Sequence, residues 1–195
     1  MQTDTRAIER MRAAWAMLAP RFTAYELVLP GSPAFICKAE RCESHCCRIY
    51  SVSLGDRELA RLSKWSGLAP VELVESENGE PIALPLAQPY LLARGNGQCA
   101  LLAEDLRCGQ YHGRPEACRL YPHFLVCLDE ATGRPVHADT DAMAASLAAL
   151  LTGREPEPYV PLLLRHLECP GFTGPGISED SWLDLFGETF RLQYL

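Results

Sequence analysis

The sequence has no excess of basic charge. Its 195 residues carry 18 Lys and Arg against 25 Asp and Glu, a formal net charge of −7. General binders of nucleic acid or of anionic membrane surfaces need a basic face, so neither partner is expected. Long apolar runs are missing as well. Ala142 to Leu151 and Tyr159 to Leu164 are the longest candidates, and both fall short of the roughly 20 residues that span a bilayer. Asp4, Arg6, Glu9, Arg10 and Arg12 stand where an export signal would have its apolar core, which makes the cytoplasm the expected compartment. There is no glycine-rich phosphate loop: Gly171-Phe-Thr-Gly174-Pro-Gly176 is interrupted by proline and follows no clear strand. The carboxylates form no recognisable catalytic pair, and the chain has neither an internal repeat nor a low-complexity tail.

What the chain does have is cysteine. Four of its nine cysteines, Cys37, Cys42, Cys46 and Cys47, fall within eleven residues; Cys99, Cys108, Cys118, Cys127 and Cys169 follow. In a reducing compartment, dense cysteines point to metal ligands rather than disulfides. An extracellular disulfide scaffold is the alternative, but such scaffolds are usually much shorter. Thiolates are strong ligands for zinc and for iron–sulfur clusters, and a tetrahedral site needs four. The spacings Cys42-x3-Cys46 and Cys42-x4-Cys47 let one loop present two sulfurs to one metal. Neighbouring Cβ atoms of an extended backbone point to opposite sides, so the adjacent pair Cys46-Cys47 is expected to serve two metal centres rather than chelate one. Eight or nine sulfurs are enough for two four-sulfur sites, or for one cluster plus a zinc. Arg41, Arg48, Arg107, Arg114 and Arg119 lie near cysteines in the sequence, and each is either a counter-charge to bound thiolate or a solvated surface residue. His45 and His123 adjoin the cysteine stretches, whereas His112, His137 and His166 have no constellation around them. Cys127, inside Phe124-Leu-Val-Cys-Leu128, reads as a plain buried core cysteine.

With 48% hydrophobic and 22% charged residues a real core is affordable, and 195 residues fit a single domain. Helices are expected over about 5–18, with Ile8, Met11, Trp15 and Leu18 on one face; over 56–65, with Leu59, Leu62 and Trp65 on one face; and over 141–151, 160–167 and 180–194. Short extended runs are expected at 22–29, 49–54, 82–92, 99–102, 123–128 and 136–138, and a polar loop at 76–80. The fold class is therefore α+β: a small irregular cysteine-rich centre with short β-strands, core about 34–128, wrapped by N-terminal helices and by a helical C-terminal part at about 140–195.

Several of these residues match a family pattern. The cysteine cluster followed by Val52-Ser-Leu54, then Cys99-x2-Leu102, Cys108 and Tyr111-x2-Arg114-Pro115-x2-Cys118-Arg119-x-Tyr121-Pro122, resembles the YkgJ-type cysteine-cluster proteins. That family is described as zinc- or iron-chelating and has a CxxCxxCC signature. The late Cys169-Pro170-Gly171 is similar to a C-terminal element of the same family. The first cluster here, Cys-x4-Cys-x3-Cys-Cys, is wider than the signature and looks more like the flagellin lysine methylases of the FliB type, whose cysteines are associated with an iron–sulfur cluster and methyl transfer. The resemblance implies a ligand set of Cys37, Cys42, Cys46, Cys47, Cys99, Cys108, Cys118 and Cys169, with Cys127 left over. It implies an iron–sulfur cluster of the [4Fe-4S] kind, or Zn2+, as the cofactor. The expected function is an iron–sulfur protein open to redox or group-transfer chemistry. The alternative is a zinc-binding structural or interaction module without catalysis, in which a protein partner is left open.

Overall fold

The computed structural model of the protein describes residues 5–136 and 140–194. In chain order, helix α1 (Thr5–Leu18) runs into a 3-10 turn and strands β1 (Tyr25–Leu27) and β2 (Pro33–Phe35). Then come the short helices α2 (Ala39–Cys42) and α3 (His45–Ile49), strand β3 (Ser53–Leu54), and helices α4 (Asp56–Ser66) and α5 (Pro70–Leu73). Five two-residue strands follow: β4 (Ser76–Glu77), β5 (Glu80–Pro81), β6 (Tyr90–Leu91), β7 (Arg94–Gly95) and β8 (Gln98–Cys99). Helix α6 (Glu116–Leu120), strands β9 (His123–Asp129) and β10 (Arg134–Val136), helix α7 (Thr140–Leu151), strands β11 (Val160–His166) and β12 (Phe172–Gly176), and helix α8 (Glu179–Tyr194) complete the chain. The class is α+β, and every strand pairing is antiparallel. The return strand expected at 136–138 and His137 lie largely outside the described residues.

The chain divides into two compact units. One is made of residues 1–37 and 120–195, the other of residues 38–119. The first is built on a four-stranded sheet, ordered β1-β11-β9-β10, against which α1, α7 and α8 pack. Its core joins Ala7, Met11, Ala14 and Leu18 of α1 to Leu125–Leu128 of β9, Val160 and Leu162–Leu164 of β11, and Trp182 and Phe186 of α8. The buried face of α1 is thus turned from the expected one: Ile8 and Trp15 flank the core, and the small Ala7 and Ala14 face it.

Residues 160–167, expected as a helix, form β11. Strands lie on both of its sides, and Val160 to Leu164 are all buried. A strand covered on both faces loses the polar alternation and reads as a plain apolar run, which periodicity cannot tell from a buried helical turn. Pro161 fits because β1 pairs only with Leu164 to His166, so no donor is needed at Pro161 on that side. On its other side β9 pairs with β10, in register from Asp129 to Cys127. Gln193 of α8 completes the edge: its amide donates to Leu125 O (2.8 Å) and accepts from Leu125 N–H (2.8 Å).

At one end of the sheet Glu26, Arg165 and His123 stand in register on β1, β11 and β9. Arg165 Nε donates to Glu26 (2.9 Å), and its guanidinium lies 4.6 Å from the centre of the Phe172 ring. β2 and β12 form a separate two-stranded ladder. There Gly171 lies so close to Phe35 that a Cβ would come within 2.5 Å of the ring. His123, between the rings of Phe35 and Phe172, is pulled down from its ordinary 6.5 to about 4, chiefly by burial and then by the charges of Arg165 and His166.

The second unit has a much smaller core: Leu54, Leu59, Leu62, Leu73, Val74, Leu92 and Leu101, flanked by Val52, Tyr90, Cys99 and Cys108. The expected polar loop at 76–80 is a hairpin, β4–β5, turned by the left-handed pair Asn78 and Gly79. Of the extended run expected at 82–92, Tyr90 and Leu91 form the ladder strand β6 and Leu92 a lone bridge to Val74, while its prolines keep the preceding part out of a ladder. Trp65, expected on the buried face of α4, is 61% exposed. It packs on Gly113, where a Cβ would come within 2.8 Å of the Trp65 Cβ.

The depressed His123 has a stability consequence. Between pH 6.5 and about 4 the unfolded chain binds a proton that the folded chain refuses, so stability is full above that window and falls as the pH drops through it. The expected loss is on the order of 3 kcal/mol. Urea unfolding of wild type and of His123→Phe across this range checks it: the wild-type slope should exceed that of the variant.

Candidate metal centre

The stretch 37–47 is not extended. Cys42 closes α2, Glu43 and Ser44 both take the left-handed conformation (φ 48° and 57°), and α3 begins at His45. Neither residue is glycine, so each conformation costs about 1 kcal/mol or more. The turn is held by backbone bonds from Ser44 N–H to Ala39 O (3.1 Å) and from Cys47 N–H to Ser44 O (2.8 Å). Ser44 is 3% exposed, and its hydroxyl donates to Leu106 O. Leu106 is itself left-handed, at φ 65°.

A second clamp holds the far end of α3. Arg94 of β7 donates through Nη1 to Tyr50 O (2.7 Å) and through Nη2 to Gly97 O (2.7 Å) and Arg48 O. One guanidinium therefore ties the last carbonyls of α3 to the β7–β8 hairpin that carries Cys99. The bridge between Leu102 and Cys108 then folds the next segment back, and Gly109 N–H donates to Leu101 O (2.8 Å).

Within the 38–119 unit the thiols of Cys46, Cys99, Cys108 and Cys118 act on one another electrostatically, and Cys47 is acted on by Cys46, Cys99 and Cys108. Cys47 donates a hydrogen bond to Cys46, and that bond above all draws Cys46 down from 9.0 to about 6. Cys47, as the donor, is pushed up by the same bond, by burial and by the charges of Cys46, Cys99 and Cys108. Burial raises Cys99 and Cys108, and each is partly relieved by a backbone N–H: Leu101 N–H on Cys99 Sγ at 3.4 Å, and Gln110 N–H on Cys108. Burial and the charges of Cys99, Cys108 and Cys46 push Cys118 up to about 12. Arg94 acts on Cys99, and Arg114 acts on Cys108 and Cys118. The Arg114 guanidinium lies 3.9 Å from the centre of the Tyr111 ring.

Soft donors, N–H···S bonds and two arginine charges fit a thiolate-bound metal. Among the described residues no three His, Cys, Asp or Glu side chains already close around one point. The same residues also include all nine cysteines and contain no disulfide.

The expected ligands divide. Cys46 and Cys47 were expected to face opposite ways, but that rests on extended backbone. In α3 successive side chains are about 100° apart, and both sulfurs share Cys99 and Cys108 as neighbours. Cys42 turns back toward its own helix, with Sγ 3.8 Å from both Lys38 O and Ala39 O. Cys37 and Cys169 belong to the other unit, just past the end of the β2–β12 ladder. Cys169 lines a pocket of about 210 Å3 with Arg165, His166, Leu167, Pro170 and Phe172. Cys127 is fully buried in the sheet core, and burial pushes it up to about 12. Ser44 and Arg94 escaped the sequence reading. Arg94 lies five residues before Cys99 and could have been nominated with the other arginines, whereas nothing in the sequence marks Ser44.

The shared surroundings of Cys46 and Cys47 set an expectation. Cys46→Ser and Cys47→Ser should each weaken the same metal equivalent, while Cys127→Ala should leave metal content unchanged and cost about 1–3 kcal/mol of stability. Metal analysis of the purified variants checks this, and losses of different equivalents from Cys46 and Cys47 would contradict it.

No helix among the described residues is long and apolar enough to cross a membrane. Comparison with curated proteins and with solved structures gives no match. Comparison with family models does: residues 36–145, more than half of the chain, match CxxCxxCC, described as "Putative zinc- or iron-chelating domain". That span includes every one of the five gathered thiols, and the chain belongs to this family.

Proposed function

We propose that the 38–119 unit is a metal centre in which Cys46, Cys47, Cys99, Cys108 and Cys118 supply the ligands, and that its native occupant is an iron–sulfur cluster. The observation that carries this is the mutual electrostatic influence of Cys46, Cys99, Cys108 and Cys118, with Cys47 bonded to Cys46, N–H donors on two of these thiols and two arginines acting on them. A bound cluster would supply electron transfer or a site for group transfer. The chain's own residues do the holding: α3 presents the adjacent pair, the β7–β8 hairpin presents Cys99, the returning segment presents Cys108, and α6 presents Cys118. Arg94 and Arg114 offset the net negative charge that thiolate ligation leaves. Cys37, Cys42 and Cys169, which the family resemblance also implies as ligands, are not needed for these five.

A zinc module without catalysis is the second reading, and the small core of this unit favours it. A core cluster of seven buried apolar residues is little for such a length of chain, and a metal can supply the missing folding energy.

The two readings separate in one preparation. Protein purified without oxygen should be coloured, with broad visible absorption and with iron and acid-labile sulfide in comparable amounts. A colourless product containing zinc and no sulfide would establish the second reading. Removing the metal by chelation should lower the thermal midpoint in either case, and an unchanged midpoint would exclude a structural role.

A further inference from the structure

We propose that Ser44 is a positioning residue of the metal centre: its buried hydroxyl, bonded to Leu106 O, sets the spacing between Cys46 and Cys47 on one side and Cys108 on the other. The inference rests on the reading of the 38–119 unit as a thiolate metal centre. Ser44 lies two residues before Cys46, and Leu106 two residues before Cys108. The bond therefore links the two segments immediately ahead of three of the five thiols.

Three features separate this from ordinary helix capping. Ser44 occupies the N-cap of α3, where a serine hydroxyl normally accepts from the N–H groups of its own helix, yet it makes no such cap bond. Its hydroxyl goes instead to a carbonyl 62 positions away. The backbone at Ser44 is left-handed, a conformation that glycine adopts without cost. A side chain at this position is thus retained against the local preference of the backbone. Finally, both ends of the bond are left-handed and neither is glycine. Such strain persists where the surroundings over-determine it, and here the surroundings are the two cysteine-bearing segments.

The test uses the full chain in metal-free, reduced form, titrated anaerobically with Co2+ as an optical probe and competed with Zn2+. Ser44→Gly removes the hydroxyl but also relieves the left-handed strain, so the metal-free protein should unfold closer to the wild-type midpoint than Ser44→Ala does. Its Co2+ affinity should nevertheless fall about tenfold, the scale seen when a partner of a metal ligand is lost, and its d–d bands should shift. Ser44→Ala should lose a similar factor in affinity and also unfold earlier, because the strain stays. Wild-type affinity and bands in both variants would overturn the proposal. So would an affinity loss in Ser44→Gly that merely follows a lowered midpoint, since that is what a purely structural role gives. Wild type that takes up neither Co2+ nor Zn2+ would instead sink the metal-centre reading itself, which the wild-type titration shows before any variant is compared.

Discussion

Five sulfur atoms in one half-buried space cannot all be charged at once. Burial raises the cost of each charge and the neighbouring thiolates add to it, so Cys99, Cys108 and Cys118 are all pushed upward, whereas the hydrogen bond from Cys47 draws Cys46 down. A cation reverses that balance, because it converts the mutual repulsion into shared attraction and displaces the thiol protons. Much of the surrounding architecture is legible as preparation for this. Backbone N–H groups point at Cys99 and Cys108, Arg94 and Arg114 bring positive charge, and the polypeptide is held in conformations that it would not adopt alone.

The two units solve the problem of stability differently. Residues 1–37 and 120–195 rely on a sheet whose central strands are buried by three helices, with Trp182 and Phe186 filling the interior. Residues 38–119 have two-residue strands, short helices and a handful of leucines. In that unit single polar contacts carry more of the order: one guanidinium holds three carbonyls, and one hydroxyl joins turns that are far apart in the sequence.

The sequence made the chemistry more legible than the geometry. Cysteine density was enough to imply metal, and the arginine–proline–cysteine pattern around Cys118 was enough to imply the family. Helices α1, α4, α7 and α8 were readable because apolar residues recur at helical spacing over three turns or more. β11 was not, because a strand buried on both faces carries no alternation. The form of 37–47 was not readable either. Four-residue helices hold too little periodicity to detect, and left-handed Glu43 and Ser44 replace the glycine that would have announced a turn. The expected directions of the Cys46 and Cys47 side chains were deduced from an extended backbone that the segment does not have.

The division of the chain has a consequence for the order of events in synthesis. The first unit is discontinuous: Tyr25 to Leu27 find their partners only at Leu164 to His166, on the far side of the whole 38–119 stretch. A nascent chain emerges from its N-terminus, and compact units fold as they become complete. Every thiol of the group therefore leaves the ribosome, with all of its local partners, ahead of β9 and β11. The cysteine-bearing unit is the first that can finish its own contacts, and metal can be loaded while the sheet is still an open edge.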